Sequence, residues 1–300
     1  MTPAEAKAAL DQCGGLTRDE FMALIDSIRF IGVSLGIVSV KKIDGRELFF
    51  SSYSGAINNA VSGEIVVLHS NLTEVCILKN NVNVNLNGFT LSSNTAGNTY
   101  TLSDNGANVS CSVFGYGNIT RLTNTGSTGG AISISGTGTV SISCRNISSV
   151  CGYAINKSST SNVRVFADVI TAGNNGEVGN ENHTISIIGG RLSIYAARII
   201  STSISTAVNA LYQNGGAFWV EGAMVLKSAT NSTTVNKVSG AIILKNNVYI
   251  VPPATTGGSL NGDGDCKLYG TNLSNVSTHP SSTLTFSVGL LTINPSVTDI

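Results

Sequence analysis

The chain repeats itself, and the repeat constrains its architecture more than any other feature. Val84, Val113, Ile142, Val165, Ile194, Val220, Leu244 and Leu268 serve as anchors spaced 23 to 29 residues apart. Two positions before them stand Val82, Cys111, Val140, Val163, Leu192, Phe218, Ile242 and Cys266, all apolar. Two positions after stand Leu86, Gly115, Cys144, Ala167, Ala196, Gly222, Asn246 and Gly270, nearly all small. Five positions after stand Phe89, Asn118, Ile147, Ile170, Ile199, Val225, Tyr249 and Leu273, apolar except Asn118. Strand side chains alternate with period two, so the even offsets share one face. The odd offset at plus five then requires a corner between plus two and plus five. The reading is a coiled parallel β-solenoid of about ten rungs. At ~4.8 Å per rung its rod is roughly 50 Å long, and it is right-handed because parallel crossovers prefer that hand.

Only 11% of residues are charged and the net charge is zero. That excludes a general electrostatic attraction to nucleic acid or an anionic membrane. The longest apolar stretch, residues 30–40, is too short to span a bilayer. The start Met1-Thr2-Pro3-Ala4-Glu5 lacks a basic, then apolar, export signal. Of the six cysteines, Cys111 and Cys144 fall on adjacent rungs about 13 Å out of step along the strand. Buried free thiols are therefore expected, and no Cys/His spacing suggests zinc.

Residues 1–44 read as a helical anchoring segment ahead of a solenoid over 45–300. Thr2-Pro3-Ala4-Glu5 and Thr17-Arg18-Asp19-Glu20 are capping boxes, and Phe21, Leu24, Ile25 and Ile28 share one helix face. So short a helical pair needs something to dock on. A capping helix is expected near 53–61. It contains Ala56-Ile57-Asn58-Asn59-Ala60 and leads into Gly63-Glu64-Ile65-Val66-Val67-Leu68 and then Val82-Asn83-Val84-Asn85-Leu86-Asn87-Gly88-Phe89-Thr90-Leu91. This stretch resembles the opening coils of the pectate-lyase-like right-handed parallel β-helix superfamily. In that family such a helix shields the first rung from edge pairing. The match covers residues 53–91, and periodicity carries the rest. The final rung is expected around Leu284, Phe286 and Val288.

The resemblance implies polysaccharide chemistry. A glycoside hydrolase needs two carboxylates flanking the bond. Asp-Asp, Gly-His-Gly and Arg-x-Lys, which family pectin hydrolases carry, are absent. Asp168 together with Glu177, Glu181 and His183 offers an alternative acid and base set, against which stands an ordinary solvated polar loop. Asn261-Gly262-Asp263-Gly264-Asp265 resembles a calcium loop through Asp263 and Asp265, but it lacks the later bidentate Glu, and Gly-Asp pairs also make ordinary turns. No cofactor is otherwise expected. Sequons such as those at Asn71, Asn118 and Asn231 follow from composition, and Asn118 is expected to join an inward hydrogen-bond ladder.

The outward columns carry more. Phe166, Tyr195, Trp219, Ile243 and Tyr269 are expected to share one outer face as an apolar stripe, with Glu221 beside Lys245 as an ion pair. Such a stripe marks packing between sister subunits, cover by a side loop, or stacking on sugar rings. The overall layout resembles β-helical phage tail or head fibres and tailspike-like virion proteins. That resemblance implies a non-enzymatic structural or adhesive virion component. It implies a homo-oligomer, by preference a trimer, anchored to other virion proteins through residues 1–40 and contacting a host surface glycan. It implies no nucleic-acid partner and no membrane span. The alternatives are a polysaccharide depolymerase, or a secreted or cell-surface adhesin.

Overall fold

A computed structural model describes residues 36–123, 129–173, 183–202, 209–220, 224–228, 235–244, 248–251, 260–262, 266–268 and 284–286. Over the described residues the chain is an all-β parallel solenoid with very little helix. The eight anchors follow one another as direct cross-strand partners, from Val84–Val113 through Ile142, Val165, Ile194 and Val220 to Leu244–Leu268. Each turn has three faces. In one turn these are Cys111–Phe114, Asn118–Arg121 and Gly130–Ile134, and in the next Thr139–Ser143, Asn146–Ser149 and Tyr153–Lys157. Further along, Asn162–Ala172 and Arg191–Ser201 each run through the corner and serve two faces.

The expected ten rungs become about five complete turns. The anchor column includes the short opening coil, Ile65–Leu68 with Leu72–Thr73 and Cys76–Ile77. Beyond residue 213 backbone pairing carries it on through Cys266–Leu268 to Leu284–Phe286.

Inward side chains of all three faces form one continuous apolar core from Val38 to Ile242. The column at plus five holds only for Ile147, Ile170 and Ile199. Leu91, Ile119 and Leu226 take that place where Phe89, Asn118 and Val225 were expected, and Ile250 pairs with Leu226 where Tyr249 was expected. Extra corner residues with positive φ, Asn87 and Gly88 in one turn and Gly115 and Tyr116 in the next, displace the register of the early turns. Asn118 consequently sits on the flank. There it donates to Thr90 Oγ1 and accepts from Asn146 Nδ2, both at 3.1 Å. Cys76, Cys111, Cys144 and Cys151 are buried and form no disulfide among the described residues.

The open end of the first coil is covered by the helix near 53–61 and, in addition, by a strand where helix was expected. Val38–Lys41 lies within the segment read as helical, yet it is a strand paired antiparallel with both Ile65–Leu68 and Glu47–Phe50. Val38 and Val40 turn into the core, so alternation decides the element. Residues 1–35, with both capping boxes, lie outside the described residues. The helix Tyr53–Asn59 buries Tyr53, Ala56 and Ile57 across the same end. Its N-terminal N–H groups donate to the Glu74 carboxylate, and Lys79 Nζ donates to the carbonyls of Ile57, Asn58 and Ala60. Charges of these signs at these ends complement the helix dipole.

Polar side chains also turn inward at the corner that leaves the third face. Asp104 is fully buried and accepts from the N–H groups of Gly106, Ser135 and Gly136 and from Ser135 Oγ. Lys157, also fully buried, donates to the carbonyls of Ser159 at 2.7 Å and Gly189 at 2.6 Å, so it spans two successive turns. Gln213 donates to the carbonyls of Gly215 and Gly216. These contacts satisfy corner backbone groups that no strand reaches.

Candidate functional site

The corner that leaves the first face is built from small residues, and this makes it concave. Cys144, Ala167 and Ala196 lie on successive turns and floor a groove of ≈ 380 Å³ along the solenoid axis. One bank carries Phe166 and Tyr195, cross-strand partners with rings 4.8 Å apart and inclined by 11°. They are 40% and 37% exposed, so ring surface is open to a ligand. The other bank carries Asp168 and Tyr116, whose phenol donates to Asp168 Oδ2 at 2.7 Å. That bond holds the Tyr116 hydroxyl above its ordinary pKa, so the proton stays on the phenol. Burial pushes the Cys144 thiol up to about 12, leaving a protonated, unreactive floor.

Tyr116 reaches the groove at a conformational cost. Its φ of +52° lies in the left-handed region, where a bulky residue is an outlier. Gly115, at φ +105°, and Gly117 flank it and approach Asn85, Asn87 and Phe89 too closely for any side chain. Strain of this kind, held by its surroundings, clusters at binding sites.

The five-residue stripe resolves into two columns. Phe166 and Tyr195 belong to the groove. Trp219 pairs with Ser193 and Ile243 with Trp219, two positions back along the strand, and the Arg191 guanidinium lies 4.0 Å from the Trp219 ring centroid. Tyr269, Glu221 and Lys245 lie outside the described residues. The structure brings Asp168 beside the aromatic pair, two readings that the sequence kept apart. Glu177 and Glu181 lie outside the described residues, as do Asp263 and Asp265. His183 is interior, 5% exposed, stacked on Tyr212 at 4.3 Å and accepting from the Asn209 N–H. Burial lowers its pKa to about 4. Its ring packs in the interior, and burial favours the uncharged imidazole. Among the described residues no His, Cys, Asp or Glu cluster suits a metal ion.

Sequence reasoning missed Tyr116, although Gly115-Tyr116-Gly117, an aromatic residue between two glycines, signals an exposed strained corner. It also missed Ser39, Glu47 and His69. Ser39 Oγ donates to Glu47 Oε1 at 2.6 Å and lies 2.8 Å from His69 Nε2. This is not a nucleophile triad. The carboxylate accepts the serine's hydrogen bond directly and lies on the same Nε2 side of the imidazole rather than orienting its far side, and Ser39 is fully buried. Among the described residues the groove is lined by a single carboxylate, whereas glycoside hydrolysis requires two across the bond.

The chain matches no protein-family model, no curated protein and no solved structure.

Proposed function

We propose that this chain is a non-enzymatic structural and adhesive rod, a virion component of the tail-fibre, head-fibre or tailspike kind, and that its axial groove contacts a host surface glycan. In this reading the coil is right-handed and pectate-lyase-like, residues 1–40 anchor the rod to other virion proteins, and the rods assemble as trimers. The observation that carries the reading is the Phe166–Tyr195 stack set opposite the Asp168–Tyr116 pair. Aromatic rings offer an apolar surface for the C–H faces of a sugar ring, and a carboxylate accepts from its hydroxyls. Zero net charge leaves recognition to this local chemistry rather than to a long-range field.

The test is a glycan-array and calorimetric screen of the full chain beside Phe166→Ala, with the oligomeric state measured in parallel. Binding to a defined glycan that Phe166→Ala weakens by about tenfold supports the reading, a loss equivalent to one exposed aromatic contact. Release of reducing ends or unsaturated sugar that is lost in Asp168→Asn overturns it in favour of a depolymerase. A clean monomer at micromolar concentration removes the fibre assignment.

A further inference from the structure

We infer that the groove selects an uncharged glycan segment about two sugar rings long and excludes acidic glycans, with Asp168 as the selecting residue. This rests on the glycan-contact reading and adds the class of ligand.

Length comes from the floor. Cys144, Ala167 and Ala196 occupy three successive turns, two spacings of ~4.8 Å, so the groove runs about 10 Å along the axis. Their side chains are among the smallest available, so a ring can settle below the tops of Phe166 and Tyr195. The two aromatic rings are stacked one turn apart and nearly parallel, so the bank repeats at the interval of the solenoid itself. A chain of similar rings laid along the axis meets the same chemistry twice.

Charge comes from the opposite bank. Asp168 contributes the one charged side chain among the described groove-lining residues. One carboxylate oxygen accepts from the Tyr116 phenol, and the remaining lone pairs can only accept. They therefore call for hydroxyl or amide donors on the ligand. Arg145, the neighbouring cation on the preceding turn, accepts the Asp168 N–H through its backbone carbonyl; its exposed side chain is near enough to act on the Tyr116 phenol but does not line the groove. A uronate or sialate in the groove would set its carboxylate against Asp168, with no cation among the described lining residues to compensate. A neutral sugar offers donors to the acid and C–H faces to the rings.

The experiment compares the full chain with Asp168→Asn and Ala197→Arg. Ala197 is an exposed groove residue one turn on from Asp168, so the added side chain need not disturb the core. The probes are neutral oligomers of two to six sugars (gluco-, manno-, galacto- and N-acetylglucosamine series) and acidic ones (oligogalacturonate, hyaluronan fragments, sialyl-lactose). Unfolding curves of all three proteins are recorded to confirm an intact fold. Neutral oligomers are expected to bind at least about tenfold tighter than acidic ones, as a like-charge contact implies. Asp168→Asn should narrow that ratio, and Ala197→Arg should bring acidic oligomers into the groove. Acidic oligomers binding as tightly as neutral ones, with the ratio unmoved by either variant, overturns the charge selection and leaves the glycan-contact reading standing. Binding of neither class overturns that reading, and the selection falls with it.

Discussion

At the corner that leaves the third face, polar side chains turn inward, whereas at the corner that leaves the first face the side chains with chemistry to offer turn outward. The third-face corner interrupts the ladder and strands backbone groups there. The third-face corner recruits Asp104, Lys157 and Gln213 from inside the coil to bond those groups, and the interior is filled by doing so. At the first-face corner the long strands Asn162–Ala172 and Arg191–Ser201 run through with ladder pairing nearly continuous, so small side chains suffice. The groove exists because nothing large has to occupy that corner. Bulk is moved to the banks, where Phe166, Tyr195 and Tyr116 face solvent.

Stability should therefore depend on the inward polar groups and binding on the outward ones. The largest effect is expected for Lys157→Ala, which leaves the carbonyls of Ser159 and Gly189 without a donor inside the coil. A loss of about 3 kcal/mol in urea unfolding follows from stranding buried acceptors of a charged donor. A loss within error of zero would break the comparison.

Acid should act next, through His183. Its folded pKa, about 4, lies below the ordinary 6.5, so the unfolded chain takes up a proton that the folded chain refuses. Stability present above pH 6.5 is lost as pH falls toward 4, on the order of 2 kcal/mol by pH 5. Thermal midpoints across that window, compared with His183→Gln, should show a wild-type decline that the variant lacks.

The smallest effect has the opposite sign. Tyr116→Gly removes a bulky residue from a left-handed conformation and should raise stability by about 1 kcal/mol, strain relief being offset in part by the greater freedom of an unfolded glycine. Glycan contact should weaken in the same variant. Stabilisation with binding intact would show that Tyr116 is a corner residue and nothing more.

The first-face columns could be read from sequence because hydrophobic alternation and a fixed repeat act locally. Val140, Ile142, Val163 and Val165 announce their own inward positions. The second-face column could be read only where the corner keeps one length, as at Ile147, Ile170 and Ile199. Asn118 and Ile119 exchanged roles because the left-handed residues Gly115 and Tyr116 add to the corner, and no periodicity encodes a backbone sign. Phe166 and Tyr195 were legible as an outward aromatic pair for the same local reason that the core was. His183 was not legible as a core residue, since its burial depends on Tyr212 and Asn209 from the following turn.

By itself the sequence determined that this chain coils, which side chains of the first face point inward, and that Cys111 and Cys144 belong to the core. Side-chain alternation and a repeat of near-constant length are enough for that. Only the tertiary structure decided that Tyr116 meets Asp168 across 52 residues, that small corner residues open a groove between them and the aromatic pair, and that His183 is withdrawn from solvent. Those outcomes depend on how many residues each corner consumes, because one residue more or less rotates everything after it to another face.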